Sequence, residues 1–175
     1  EVKMNELEMD SLRMKEFGFI FQSGHLLNHL NTIENIAFPL HLKGEDYKES
    51  LILARKKAVA LKLPESTFKN YPDQLSGGEY HRTAVARAMI KDPSVIFADE
   101  PTGNLDPDNA KVVMEDLINW KNSSLTNDSL RSLILVTHNF EHAYKYSDQI
   151  YLLHRGQFSP PIDGNFIREN DKNDK

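Results

Sequence analysis

Two carboxylates, Asp99 and Glu100, close the apolar run SVIFADE. A buried strand that ends in acids delivers them to the carboxyl edge of a sheet, which is where open α/β sheets bind ligands. Placed there, Asp99 has the oxygen chemistry to hold Mg²⁺ directly or through water. Glu100 has the chemistry to orient or deprotonate an attacking water. A strand that stops at a solvated turn has the same composition, so the pair does not decide alone. The stretch LSGGE, from Leu75 to Glu79, is the second candidate. Ser76 can cap a helix, and Gly77 and Gly78 let another group approach the backbone closely. Free amides at a helix N-terminus carry roughly half a positive charge, which suits a phosphate. The plain alternative is an ordinary Ser-Gly-Gly turn in front of a helix.

These residues need elements to hold them. FGFIFQ (Phe17 to Gln22) reads as a buried strand ending at Gln22, and SVIFADE and LRSLILVTH as two more, the last ending at His138. Near-continuous apolar runs of this length are expected of strands covered on both faces of a parallel sheet. A short surface helix is expected before Phe17, capped by Asp10 or Ser11. Thr32 is expected to cap a helix carrying Ile33, Ile36, Ala37 and Leu40, with Pro39 bending or ending it. Tyr47, Leu51, Ala54, Ala58 and Leu61 recur at helical spacing, and a further helix runs from about Gly77 to Ile90 with Val85, Ala88 and Met89 on one side. PESTFKNYPDQ reads as a loop. Asp108 or Asn109 is expected to cap the helix NAKVVMEDLINWK. NSSLTNDS reads as a polar linker, NFEHAYKYS as a helix, and DQIYLLHRGQF as a hairpin turning at Arg155-Gly156. From Ser159 on, no periodic apolar pattern remains, and a mobile tail is expected.

The chain of 175 residues is 39% hydrophobic and 27% charged, ordinary for a globular protein with a core of its own. It has no cysteine, which excludes disulfides and thiolate metal sites. A net charge of -5 argues against a broad nucleic-acid footprint, so no nucleic-acid partner is expected. No apolar run approaches the roughly 20 residues of a membrane span, so a link to a membrane would run through a partner.

In order along the chain, LSGGE, the helix after it, VIFAD with Glu100, GNLD (Gly103 to Asp106) and VTH resemble the nucleotide-binding domain of ABC-type ATPases. LSGGE matches that family's signature motif, VIFAD its Walker B strand, GNLD its D-loop, and IFQ its Q-loop. The resemblance covers about Phe17 to Phe158. It implies an α/β fold: a P-loop NTPase-like core with a parallel sheet and an inserted helical subdomain. Residues 1–22 and 91–158 would form the core, 23–90 the helical signature subdomain, and 159–175 the tail. It implies ATP and Mg²⁺ as cofactors, with Glu100 and His138 catalytic and Asp99 and Gln22 at the metal. Gln22, Ser76, Gly77, Gly78, Glu79 and Asp106 would serve nucleotide binding, the signature residues reaching the γ-phosphate held by the opposite subunit. His138 would bond the γ-phosphate. The residues after LSGGE, Tyr80 and His81, depart from the family's usual polar pair, often glutamine.

The same resemblance exposes a gap. Such a site needs G-x-x-x-x-G-K-[ST], whose amides and lysine grip the phosphates, yet no Gly-Lys pair occurs in this sequence. Gln22 comes too early to leave room for that segment, so the chain is expected to lack the first third of the domain and to bind ATP weakly alone. The missing part should supply central strands and a covering helix, leaving SVIFAD and LILVT with unpaired edges and apolar faces. GNLD directly after ADEPT, with NTIENIAFPL after the Q-loop, is similar to the lipoprotein-release, macrolide-export and cell-division ATPases. Those imply a homodimer peripheral on the cytoplasmic side of the membrane, with a membrane-embedded transporter subunit docking near Asn28 to Lys43. A DNA-repair ATPase would need long coiled-coil arms, and a translation-linked tandem ATPase a second domain copy; neither is present.

Overall fold

The computed structural model describes residues 5–123 and 130–165. The chain divides into two compact units, Glu1–Val136 and Thr137–Lys175.

In the first unit, α1 (Glu6–Glu16) leads into β1 (Phe17–Ile20). The cap of α1 is Asn5, not Asp10 or Ser11. Asn5 and Glu8 exchange backbone bonds in a capping box, which satisfies two orphan donors at once. The same device starts α2 (Thr32–Leu42), where Asn31, not Thr32, is the cap and Glu34 its partner. Pro39 lies inside α2, which continues to Leu42. The buried stripe of Ile33, Ile36, Ala37 and Leu40 holds the helix despite the lost amide. Asp46 caps α3 (Tyr47–Ala60), whose Ala54 and Ala58 are fully buried while Tyr47 is 53% exposed, against expectation. The stretch read as a loop between α3 and α4 contains two 3-10 turns, Glu65–Thr67 and Pro72–Gln74. Ser76 caps α4 (Gly77–Met89), with Val85, Ala88 and Met89 buried as expected. Helices α2, α3 and α4 pack on one another, and α4 also packs on β1.

β2 (Val95–Asp99) pairs in parallel with β1 on one side and with β3 (Ser132–Val136) on the other. So β2 is the central strand and has no free edge; the edges are β1 and β3. β1 ends before Gln22 and β3 before His138. Between β2 and β3 runs α5 (Pro107–Asn122), which packs on α4 and β3. Its cap is Asp106, with Pro107 at the first helical position, where a missing amide costs nothing. Asp108 and Asn109 therefore sit within the first turn.

The two faces of the sheet differ. Ile20, Ile96 and Ala98 point into the core. On the other face Phe19 is 39%, Ile134 47% and Val136 57% exposed. Phe97 stacks there on Phe19 and meets Phe17 edge-on. The apolar face expected from the sequence is thus present.

In the second unit, α6 (Phe140–Tyr146) is capped by Asn139. β4 (Gln149–Ile150) pairs antiparallel with β7 (Ile162–Asp163), and β5 (Leu153–His154) with β6 (Gln157–Phe158). Arg155 and Gly156 both have positive φ, as a two-residue hairpin turn requires. Ile162 and Asp163 are thus in a strand, because β4 offers them a pairing edge that periodicity within the tail could not reveal. Residues 124–129 of the expected linker, and the tail beyond 165, lie outside the described residues.

Candidate functional site

Asp99 is exposed at the carboxyl end of β2, as its run of alternating burial predicts. The chain then turns sharply. Glu100 takes a left-handed conformation, φ 45°, with its amide donating to the Val136 carbonyl at 2.9 Å and its carbonyl accepting from the Gly103 amide at 3.1 Å. A non-glycine residue held there stores strain, of the order of 1 kcal/mol or more, and such outliers cluster at functional sites. Gly103 is where Gln22 and Glu100 meet. A Cβ on Gly103 would lie 3.4 Å from Gln22 Nε2 and 3.6 Å from Glu100 Cβ.

The LSGGE turn is built as a capping box. Ser76 Oγ accepts from the Glu79 amide, and Glu79 Oε2 accepts from the Ser76 amide at 2.9 Å and from the Ser76 hydroxyl at 2.7 Å. Those bonds hold the Glu79 carboxyl below its ordinary pKa, the hydroxyl contributing most. Glu79 therefore shapes the turn from within. Gly77 is exposed, and a Cβ there would meet nothing within 4 Å, so its surface is open to another molecule. Gly78 answers a different need. A Cβ there would sit 2.5 Å from Asn109 Oδ1, so the glycine lets α5 approach.

Asn109 links the signature turn to Asp106. Its side-chain amide donates to Asp106 Oδ2 at 2.6 Å, its backbone amide donates to Oδ1 at 3.0 Å, and its own Oδ1 accepts from Arg82 at 3.0 Å. The bonds from Asn109 lower the Asp106 pKa, the side-chain bond first. Sequence reasoning missed Asn109 and Arg82 as site residues; the signal was their helical spacing from Asp106 and Gly78, which means nothing until α4 and α5 are known to touch.

Gln22, Ser76–Glu79, Asp99, Glu100 and Asp106 all belong to the first unit, and His138 belongs to the second. Asp99 and the Gln22 side-chain carbonyl are hard oxygen donors. Mg²⁺ takes one or two protein oxygens and fills the rest with water and phosphate, so this donor set fits it without a carboxylate cluster. No group of three or more His, Asp or Glu suited to a metal occurs among the described residues. No helix among them is long and apolar enough to cross a membrane.

The cap carries a testable pH signature. Because the folded pKa of Glu79 is depressed, its contribution is present above the unfolded value of about 4.3 and is lost as pH falls through the folded pKa. Ser76→Ala should raise the Glu79 pKa toward the ordinary value and destabilise the chain by about 1 kcal/mol. A carboxyl titration by NMR beside a denaturant melt checks both; an unmoved Glu79 would remove Ser76 as its partner.

A family model described as ABC transporter matches residues 1–103. The chain is 40% identical over 150 residues to the lipoprotein-releasing system ATP-binding protein LolD of Pseudoalteromonas translucida, covering 86% of this chain and 62% of that one. It is 38% identical over 153 residues to LolD of Treponema pallidum, covering 87% and 65%. It thus spans less than two thirds of the length of these relatives. Among solved structures, the dimeric post-hydrolysis state of the ATP-binding cassette MJ0796 bound to ADP and Pi superposes with a TM-score of 0.78 at 28% identity, covering 92% of this chain and 68% of that one.

Proposed function

The chain belongs to the ABC transporter family, and on that premise we propose that it is the signature- and Walker B-bearing part of an ATP-hydrolysing transporter subunit. Two such subunits face each other head to tail across two ATP molecules and drive a membrane-embedded partner of the lipoprotein-release type from the cytoplasmic face. The observation that carries this reading is the open surface at Gly77, on a capped helix start fastened through Gly78 and Asn109 to Asp106.

In this reading Gly77 and Gly78 offer backbone amides to the γ-phosphate of the facing subunit's ATP, Ser76 reaches it once its hydroxyl turns from Glu79, and Asp106 borders the same interface. Asp99 and Gln22 would hold Mg²⁺, which would supply positive charge for the phosphate oxygens. Glu100 takes the proton of the attacking water, and the role proposed for His138 is a bond to the γ-phosphate. The partner docks on the helical block near Asn28 to Lys43. There His29, Leu30, Glu34, Phe38, His41 and Tyr47 line a hollow of about 240 Å³.

The 175 residues contain no G-x-x-x-x-G-K-[ST], so alone they have the phosphate contacts of one half-site only. Calorimetry with Mg-ATP should give no micromolar binding. Mixed with an ABC cassette that carries the phosphate loop, the chain should form a 1:1 complex on addition of Mg-ATP, and Ser76→Arg should abolish it. Sedimentation showing no ATP-dependent complex, or an indifferent Ser76→Arg, would overturn the reading.

A further inference from the structure

The loop after β1 is gripped by one face of α4. Tyr80 Oη accepts from the Leu26 amide at 3.1 Å, and its ring lies against Gly24, where a Cβ would meet Tyr80 Cε1 at 2.5 Å. His81 is 5% exposed. Its Nδ1 lies 3.0 Å from the Gly77 carbonyl and its Nε2 3.2 Å from the Gln22 carbonyl; both carbonyls accept, so a neutral ring donates to one and packs against the other, filling the space between the signature turn and Gln22. Arg87 donates to the Gly24 carbonyl at 2.6 Å and the His25 carbonyl at 2.7 Å. Positions 80, 81, 84 and 87 share one helix face, and the Ala84 methyl completes the contact with Gly24.

The grip answers a backbone problem. Gly24 and His25 are consecutive left-handed residues, φ 66° and 48°. Glycine takes that conformation freely, so His25 carries the cost of a side chain held there, and Arg87 holds both carbonyls with a planar fork. On the strand-end side the Gly24 amide donates to the Phe21 carbonyl at 2.7 Å, Asn104 donates to the Gln22 carbonyl at 3.4 Å, and the Gln22 side chain borders Gly103. The grip from α4 adds bonds of 2.6 to 3.1 Å, two of them charge-assisted, that join the loop to a second element.

We infer that Tyr80, His81 and Arg87 are positioning residues that make the Gln22 loop and the signature turn one rigid body. The inference rests on the assignment of Gln22 and Ser76–Gly78 proposed above. Its consequence is a mechanical link between two nucleotide sites. Gln22 serves the chain's own nucleotide and Ser76–Gly78 the facing one. Displacing α4 therefore withdraws both together, and an event at one site biases the other. Tyr80 and His81, which depart from the usual polar pair, are two of the three residues that make this link.

Hydrogen exchange of the full 175-residue chain at high dilution, without nucleotide, tests the link independently of whether the chain takes ATP. In Arg87→Ala the amides of Gly24, His25 and Leu26 should exchange about tenfold faster or more relative to those of α2 and α3. Added ethylguanidinium should restore them. Tyr80→Phe, which removes one hydroxyl, should release the Leu26 amide even where Arg87→Ala fails to fold. Ser76→Ala should speed exchange of the loop in the native background and leave it unchanged in His81→Leu, a coupling that simple loss of stability does not produce. A uniform rise across the chain, no rise, no rescue, or an equal effect of Ser76→Ala in both backgrounds would overturn the inference.

Discussion

Replacing Glu100 with Gln should slow ATP turnover by about 10²–10⁴-fold, the range for losing a positioned general base, in a form of the protein joined to a phosphate loop. Nucleotide binding should persist, so ATP-bound dimers should accumulate. Three features motivate the prediction. Glu100 follows Asp99 directly at the carboxyl end of the central strand. It borders the same bare surface at Gly103 as the Gln22 side chain. Its backbone is held left-handed by bonds to Val136 and Gly103, which fixes the direction of the side chain. Gln keeps the size and the backbone strain and removes the negative charge and the ability to take a proton. Phosphate release beside sedimentation separates chemistry from assembly. Unchanged turnover would take Glu100 out of the catalytic role. Asp99→Asn should behave differently, losing activity in a way that added Mg²⁺ partly restores.

The second large effect is expected on the outer face of the sheet. Phe19, Phe97, Ile134 and Val136 form an apolar strip on strands that a parallel sheet normally covers on both sides. At micromolar concentration the 175-residue chain should bind a hydrophobic dye in native buffer and self-associate. Burying one such side chain gains about 1.5–3 kcal/mol, so Phe19→Lys or Ile134→Lys should weaken association by about 10- to 100-fold each. Adding charge there should also blunt the edges of β1 and β3. Sedimentation velocity across a concentration series reads the result directly. A monodisperse native chain with a sharp cooperative melt and no dye signal would show that the strip is already satisfied.

Much of this is legible in the sequence. The strands around Phe19, Phe97 and Ile134 follow from apolar runs, because burial of a strand demands them. The start of α4 follows from Ser76 and Glu79, because a capping box needs a hydroxyl and a carboxylate at that spacing. The hairpin at Arg155-Gly156 follows from a glycine that tolerates positive φ. The caps of α1, α2 and α5 differ from the sequence expectation for one reason. Asn5, Asn31 and Asp106 stand close to other polar residues able to cap, and only the formed turn decides which oxygen reaches which amide.

Local chemistry thus determined the element types, the signature turn and the order of acids at the sheet edge. Periodicity and capping act between residues a few positions apart, so they are written in the sequence. Contacts between distant segments decided the rest. The bond from Arg82 to Asn109, the contact of His81 with Gln22 and the fork of Arg87 on Gly24 all join segments far apart in the chain. So does the choice of which sheet face is covered, since VIFAD is apolar on both sides. Those depend on how α4 and α5 settle against β1 and β3, a balance of packing over many side chains that no short window of residues contains.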